Sequence, residues 1–531
     1  MRRMQYLLAG VVGLILAMPL PGLAILRWLR PEGHWADWLL NRSLNGITLP
    51  KQDVRLSAKT WLKGDYQRSV TAWLNENFAG RELGLRLYNQ MLWSAFRKSY
   101  MAQESIVAGT DGELFERDYL DHYNYFIPMP SDADVDVLAG KMADLRDRLQ
   151  QRGGYFLVLF TPSKATTMPE FIPPRNRTNL RGQPARDYER LKAALDRYKV
   201  DFIDGPVLSR AAADQLGWTA FPKTGIHWSH PIAFSTAAAV LNAVQSKTDR
   251  TMAHLQMSGV TIDHRPHPPD EDLALLLNLI WTPRDRYIHA AYSRTPGSPS
   301  RTGRITLVGG SFVHLLNELW VETQAFEQIS FYYYYKASLY SFPGGAPTAV
   351  DQSRINWAGD FEQADAVILE INESKVGDDY VKAFLAGSLA GLPERPGGSI
   401  QPKILFYSET WHGVESNSEH VWHWSKGDAR IALTNAATKS RTATFSLKLV
   451  PYQRPRTISI YSPRGELIWQ GLVKPGTLQS VPGLKIELRA GHNELLLKSD
   501  VPAENAGQGD PRALDFAVYD FAVLFDPAEP R

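Results

Sequence analysis

Ile305-Thr306-Leu307-Val308-Gly309-Gly310-Ser311-Phe312 is the stretch on which the reading of this chain turns. A short β-branched and apolar run has the composition of a buried strand. Two glycines let the backbone turn sharply at its end. Ser311 then stands at the mouth of the turn, and Val313-His314-Leu315-Leu316 can begin a helix. Exposed serines at strand-to-helix turns are where several hydrolase families keep a nucleophile. The plainer alternative is a glycine turn with a serine N-cap. A second stretch, Phe221-Pro222-Lys223-Thr224-Gly225-Ile226-His227-Trp228-Ser229, puts a histidine in a Pro/Gly loop ahead of an Ala-rich helical pattern from Pro231 to Val244. A lone loop histidine is usually structural, but with Ser311 it can make a nucleophile and its base.

Outward from these two loops, strands alternate with helices. Tyr155 to Phe160 is a buried-strand run leading into Thr161-Pro162-Ser163-Lys164, and Ala366 to Ile371 is another, ending in Glu370-Ile371-Asn372-Glu373. Helical patterns cover Asp134 to Gln151 and Tyr188 to Tyr198, with a short strand at Val200 to Ile203. Val107 to Phe115 reads as a hairpin around Gly109-Thr110-Asp111-Gly112. The pattern implies an α/β fold with a parallel sheet covered on both faces, and a ligand site beyond the carboxyl ends of its strands. Between Ser246 and Gly303 the pattern breaks into loops, an insertion expected to border the site. His264 and His267 lie in it without a carboxylate at metal-ligand spacing, so no metal is expected.

The ends of the chain read differently. Met4 to Leu26 carries no charge, between Arg2-Arg3 and Arg27. It is long enough for the roughly 20 residues that span a bilayer core. Residues 1–30 are expected to be an uncleaved signal anchor, with a cleaved signal peptide as the alternative. Residues 31–100 are expected to be a helical membrane-proximal region, residues 101–402 the α/β domain, and residues 403–531 an all-β sandwich. The last expectation rests on period-two runs such as Thr442–Leu449, Thr457–Tyr461, Leu484–Leu488 and Asn493–Leu497 after the linker-like Pro393 to Pro402. Trp411, Trp422 and Trp424 near its start suit a carbohydrate-binding module or a packing core equally.

Composition excludes several chemistries. The chain has no cysteine, so disulfides, thiolate metal sites and cysteine nucleophiles are out. With 58 basic and 56 acidic residues it has no nucleic-acid footprint.

Together these motifs resemble the alginate O-acetyltransferase family of AlgX/AlgJ type, whose members carry an SGNH-hydrolase-like domain. The family places an Asp-x-His-Trp motif before its serine motif; here Gly225-Ile226-His227-Trp228 precedes Gly309-Gly310-Ser311-Phe312. The hairpin at 109–115, the Pro162-Ser163-Lys164 turn and Glu370-Ile371-Asn372-Glu373 resemble further family motifs, and the likeness runs over about residues 70–410. The resemblance implies transfer of acetyl groups to an extracytoplasmic polysaccharide, with Ser311 as nucleophile, His227 as base and no cofactor. It also implies an acetyl donor supplied by a membrane-bound O-acyltransferase-type partner, and a body held outside the cytoplasmic (inner) membrane, in the periplasm, by the single N-terminal helix. Gly310, Asn372, Tyr334 and Trp228 are candidates for the oxyanion hole or pocket wall.

Two departures stand out. Gly310 precedes the serine where SGNH enzymes generally have Asp. Gly225 stands where the family has the triad acid, so Glu370 or Glu373 is the candidate replacement. An esterase using the same dyad and a catalytically silent glycan-binding scaffold are the alternative functions, the latter prompted by Gly225.

Overall fold

The computed structural model describes residues 44–46, 56–77, 81–100, 105–178, 183–248, 250–393, 402–407, 409–417, 419–435, 440–489, 491–507 and 509–526. Among these no helix is long and apolar enough to cross a membrane. The expected anchor at 1–30 lies outside the described residues.

A hairpin of β1 (Ile106–Ala108) and β2 (Leu114–Glu116) opens the α/β part. The main sheet uses β3 (Tyr155–Thr161) and β4 (Phe202–Asp204). A separate antiparallel pair follows, β5 (Leu255–Asp263) with β6 (Tyr287–Arg294). The main sheet resumes with β7 (Arg304–Gly309), β8 (Gln328–Tyr333), β9 (Ser338–Phe342), β10 (Thr348–Ala349) and β11 (Ala366–Asn372). Its seven strands run in the order β10-β9-β8-β7-β11-β3-β4. The five from β8 to β4 are parallel, and β9 and β10 add an antiparallel edge.

Every residue of β3 and of β11 is buried, which explains why both read as unbroken apolar runs: parallel strands are covered on both faces. Period two divides each strand between two cores. Leu157, Leu159, Ile305, Leu307 and Ile368 face one core, with Trp228, Phe312 and the helices His230–Lys247 and Val313–Glu322. Phe156, Val158, Phe160, Val367, Leu369 and Ile371 face the other, with the helices Asp132–Gln150, Asp187–Tyr198 and Asp379–Gly391. Truncating a fully buried residue such as Leu369 to Ala would cost about 2–5 kcal/mol.

The segment between residues 246 and 303 is more ordered than its sequence suggests. β5 and β6 form a hairpin whose long connection carries a short helix, Asp272–Leu276. β5 is exposed along most of its length, so it lacks the apolar run by which the buried strands announce themselves.

Beyond residue 402 two five-stranded antiparallel sheets pack face to face. One runs Lys403–Phe406, Ala429–Asn435, Gly491–Ser499, Arg456–Tyr461, Leu467–Val473. The other runs Glu415–Ser416, Val421–Trp424, Phe516–Phe525, Arg441–Pro451, Gln479–Leu488. Alternating side chains such as Ala443, Phe445, Leu447 and Leu449 fill the space between them. Trp411 is part of that core.

Candidate active site

Ser311 follows the carboxyl end of β7, in the turn before helix Val313–Glu322. Its side chain does not cap that helix, whose N-cap residue is Phe312 and has no side-chain cap. Instead Ser311 Oγ lies 2.7 Å from His227 Nε2. His227 Nδ1 lies 2.6 Å from Asp272 Oδ2. Asp272 Oδ1 accepts the backbone N–H groups of Ile226 at 2.9 Å and of Leu273 at 2.7 Å. One carboxylate therefore holds both the imidazole and the backbone beside it. With an acceptor on Nδ1, the imidazole carries its proton there and leaves Nε2 free to take the serine proton.

The acid comes from the arm between β5 and β6, 45 positions beyond the histidine. Three contacts lace that arm to the histidine loop. Thr224 Oγ1 donates to the Asp270 carbonyl at 2.9 Å, Ala274 N–H donates to the Thr224 carbonyl at 3.1 Å, and Thr224 Oγ1 sits 3.0 Å from Tyr287 Oη. Gly225 permits the approach. A Cβ there would lie 2.7 Å from the Asp270 carbonyl oxygen and 2.9 Å from Pro222 Cγ.

Neither Glu370 nor Glu373 supplies the acid. Glu370 lies under the serine turn, 1% exposed, where Oε2 accepts Gly310 N–H at 2.7 Å and Oε1 accepts from Thr161 Oγ1. Burial raises its pKa. Gly309 is required here because a Cβ would lie 2.7 Å from that of Glu370. Glu373 accepts Ser163 N–H at 2.6 Å and Thr166 Oγ1, also in the interior, and burial raises its pKa too. Both sit at the end of β11 beside the serine strand, so the position was legible in the sequence. Their partners were not.

The pocket candidates separate in the same way. Gly310 N–H is taken by Glu370 and is not aimed at a substrate. Asn372 is buried, its amide donating to the Pro162 carbonyl at 2.9 Å and to Thr161 Oγ1 at 3.2 Å while its oxygen accepts Ser374 N–H. Trp228 is 1% exposed and stacks edge-on against Phe312, which in turn flanks the His227 ring at 4.8 Å. It backs the site without lining it. Of the four tyrosines from 332 to 335, Tyr332 and Tyr335 belong to the core. Tyr334 alone reaches the serine, where its hydroxyl meets both Oγ and the backbone N–H of Ser311. Burial raises its pKa, so at neutral pH it keeps its proton and can donate.

The motifs upstream serve the histidine loop. Lys164, fully buried, points Nζ at three carbonyls of that loop: Pro222 at 2.6 Å, Lys223 at 3.0 Å and Gly225 at 3.0 Å. Its charge is balanced by Glu113 of the hairpin, 2.9 Å away. Burial lowers the lysine pKa and raises that of the glutamate. No group of side chains suited to a metal ion occurs among the described residues. His267 stacks on His289 at 3.8 Å, and its backbone N–H donates to Asp270.

Residues 106–319 match the family model described as SGNH hydrolase-like domain, acetyltransferase AlgX. No curated protein matches the chain. Among solved structures it is similar to the O-acetyltransferase domain of Pseudomonas putida AlgJ, at 18% identity, covering 54% of this chain and 98% of that one, with a TM-score of 0.36. It is similar to Pseudomonas aeruginosa AlgX at 13% identity, covering 81% and 97%, also with a TM-score of 0.36. Bacillus cereus PatB1 with a sulfonyl adduct matches at 11% identity, covering 52% and 99%, with a TM-score of 0.34.

Proposed function

We propose that this chain, whose residues 106–319 belong to the AlgX family of SGNH hydrolase-like acetyltransferase domains, transfers acetyl groups to hydroxyls of an extracytoplasmic polysaccharide through an acyl-serine. The observation that carries the reading is the relay Asp272–His227–Ser311, with contacts of 2.6 and 2.7 Å. In the first half-reaction Ser311 Oγ attacks the carbonyl carbon of an acetyl donor while His227 Nε2 takes its proton. Negative charge gathers on the carbonyl oxygen, and the Tyr334 hydroxyl, which keeps its proton beside Ser311, is the donor assigned to it. One such donor is worth about 2.7–4 kcal/mol of barrier. The imidazolium returns its proton to the leaving group as the tetrahedral intermediate collapses, leaving acetyl-Ser311. In the second half-reaction His227 removes a proton from a sugar hydroxyl, whose oxygen attacks the ester carbonyl. Collapse then releases acetylated polymer as the imidazolium of His227 returns that proton to Ser311 Oγ.

The silent-scaffold alternative drew its force from Gly225, and the carboxylate of Asp272 on Nδ1 removes that ground. The donor is assigned to a membrane-bound acyl-transfer partner, the body of the protein to the extracytoplasmic side, and polymer retention to the C-terminal sandwich. The test is to incubate the protein with a chromogenic acetyl ester, with and without an oligosaccharide, and to identify acylated peptides by mass spectrometry. An acetyl group on Ser311 that chases onto the oligosaccharide is expected. Hydrolysis unaffected by any acceptor would assign an esterase instead. Turnover that survives Ser311→Ala would remove the serine mechanism altogether.

A further inference from the structure

Helix Arg81–Phe96 is built inside out. It buries Arg86 and Asn89 along with Trp93, and it exposes Leu87 (52%), Met91 (61%) and Phe96 (67%). The buried set recurs at i, i+3 and i+7, a single helical face. That inward face is pinned by polar contacts: Asn89 Nδ2 donates to the Asn278 carbonyl at 3.3 Å, and its oxygen accepts Tyr100 N–H at 3.0 Å. Trp93 packs with Leu273, Ala274 and Leu277. Leu87 and Met91, one turn apart, are thus left pointing outward by a helix that is otherwise firmly seated, and Phe96 is exposed at its end.

Other large apolar side chains are exposed as well. Trp281, 72% exposed, is held beside the helix by its backbone N–H, which donates to Gln90 Oε1 at 3.0 Å. Earlier in the chain, helix Ala58–Leu62 buries no residue and exposes Trp61 and Leu62. Exposed apolar surface on this scale marks an interaction site. Its charge names the occupant. Apart from the buried Arg86, residues 56–100 contain six basic and three acidic side chains, whereas the whole chain is nearly balanced. Arg97 and Lys98 follow Phe96 directly. Tryptophan, tyrosine and leucine beside Lys and Arg is the composition that settles into a headgroup layer, and basic residues there are drawn to anionic lipid. The sequence upstream agrees, since Met4 to Leu26 is uncharged.

We propose that the exposed apolar side chains of helix Arg81–Phe96, with Trp281, lie in the interfacial layer of a bilayer bearing anionic lipid. The inner side of the same helix touches helix Asp272–Leu276, which carries the acid of the relay. Helix Arg81–Phe96 then separates the arm that carries the acid from the layer through which a membrane partner would deliver its acyl donor.

The absence of native cysteine makes a direct test available. The full chain carries one nitroxide at a time through Met91→Cys, Phe96→Cys or Trp281→Cys, with Val260→Cys and Leu472→Cys as exposed controls elsewhere. It is reconstituted in vesicles of phosphatidylethanolamine and phosphatidylglycerol in equal parts. Collision rates with molecular oxygen, which enters lipid, and with a nickel chelate, which stays in water, are compared. The oxygen-to-nickel ratio at 91, 96 and 281 is expected to exceed that at 260 and 472 severalfold, and to fall in pure phosphatidylcholine. Ratios equal to the controls would overturn the proposal, because the face is then in water. Low rates with both reagents would overturn it too, because the face is then covered by protein, whether a partner, a second copy or residues 1–55.

Discussion

Replacing Asp272 by Asn tests the relay with the least disturbance to its surroundings. The amide oxygen can keep the place of Oδ1, accepting the N–H groups of Ile226 and Leu273. The amide nitrogen then faces His227 Nδ1 across the present 2.6 Å contact and presents hydrogens where an acceptor stood. His227 must answer with a lone pair on Nδ1, which moves its own proton to Nε2, opposite Ser311 Oγ. The base is then blocked. In the worked template of a serine triad this single change lowers kcat by about 10⁴, or roughly 5.5 kcal/mol of barrier. A loss of ~10³- to 10⁴-fold is expected here on the same argument. Folding should change little, because two of three hydrogen bonds survive and each is worth about 1 kcal/mol. The assay is burst and steady-state turnover of a chromogenic acetyl ester, with thermal unfolding measured alongside. A well-folded Asp272→Asn protein whose kcat lies within about threefold of wild type would refute the relay, since tautomer control leaves no room for so small an effect.

Three further outcomes follow from neighbouring parts of the structure. Lys164→Met leaves Glu113 buried without its cation and should cost about 3–5 kcal/mol of stability; adding Glu113→Gln should recover part of it in denaturant melts, and no recovery would argue against the pair. Gly225→Ala pushes a methyl group against the Asp270 carbonyl and should lower kcat about 10²-fold through displacement of Asp272, so wild-type turnover in that variant would show that the arm does not position the acid. His423 stacks on Phe406 at 4.1 Å, and burial lowers its pKa to about 4. The folded sandwich keeps it neutral while the unfolded chain takes up a proton near pH 6.5, so stability present above pH 6.5 is lost as pH falls toward 4. His423→Phe should flatten that part of the Tm-against-pH curve.

What could be read in the sequence was local. The strand-turn-serine stretch and the histidine loop each contain their own signals, and the apolar runs of β3, β7 and β11 are unbroken because both sheet faces are covered. The sandwich shows its period in strands such as Arg441–Pro451. Asp272 had no comparable signal. It is one of three consecutive acids after Pro268-Pro269, and nothing in spacing links it to a histidine 45 positions earlier. The only hint was that the surrounding insertion should border the site. Glu370 and Glu373 attracted the assignment because they sit at the right strand end, yet Thr161, Gly310, Ser163 and Thr166 claim their oxygens from inside the fold. Likewise Tyr332 lies within β8 and turns inward to Asp360, whereas Tyr334 falls past the end of that strand, at a φ of 46°, and turns to the serine, a difference that four identical letters conceal.

Gly225 also bears on how this relay is kept whole. When acid and base share a loop, one rigid segment carries both. Here the carboxylate belongs to an excursion that leaves the main sheet after helix His230–Lys247 and returns only at β7. The serine and the histidine are fixed by the sheet and its helices, and the charge behind them is fixed by the seam between the arm and the Thr224–Gly225 turn. A catalytic centre with two separate mounts can be uncoupled at the second while the first stays intact: by a ligand wedged under the arm, a clip in its exposed strand, or a single methyl group on residue 225.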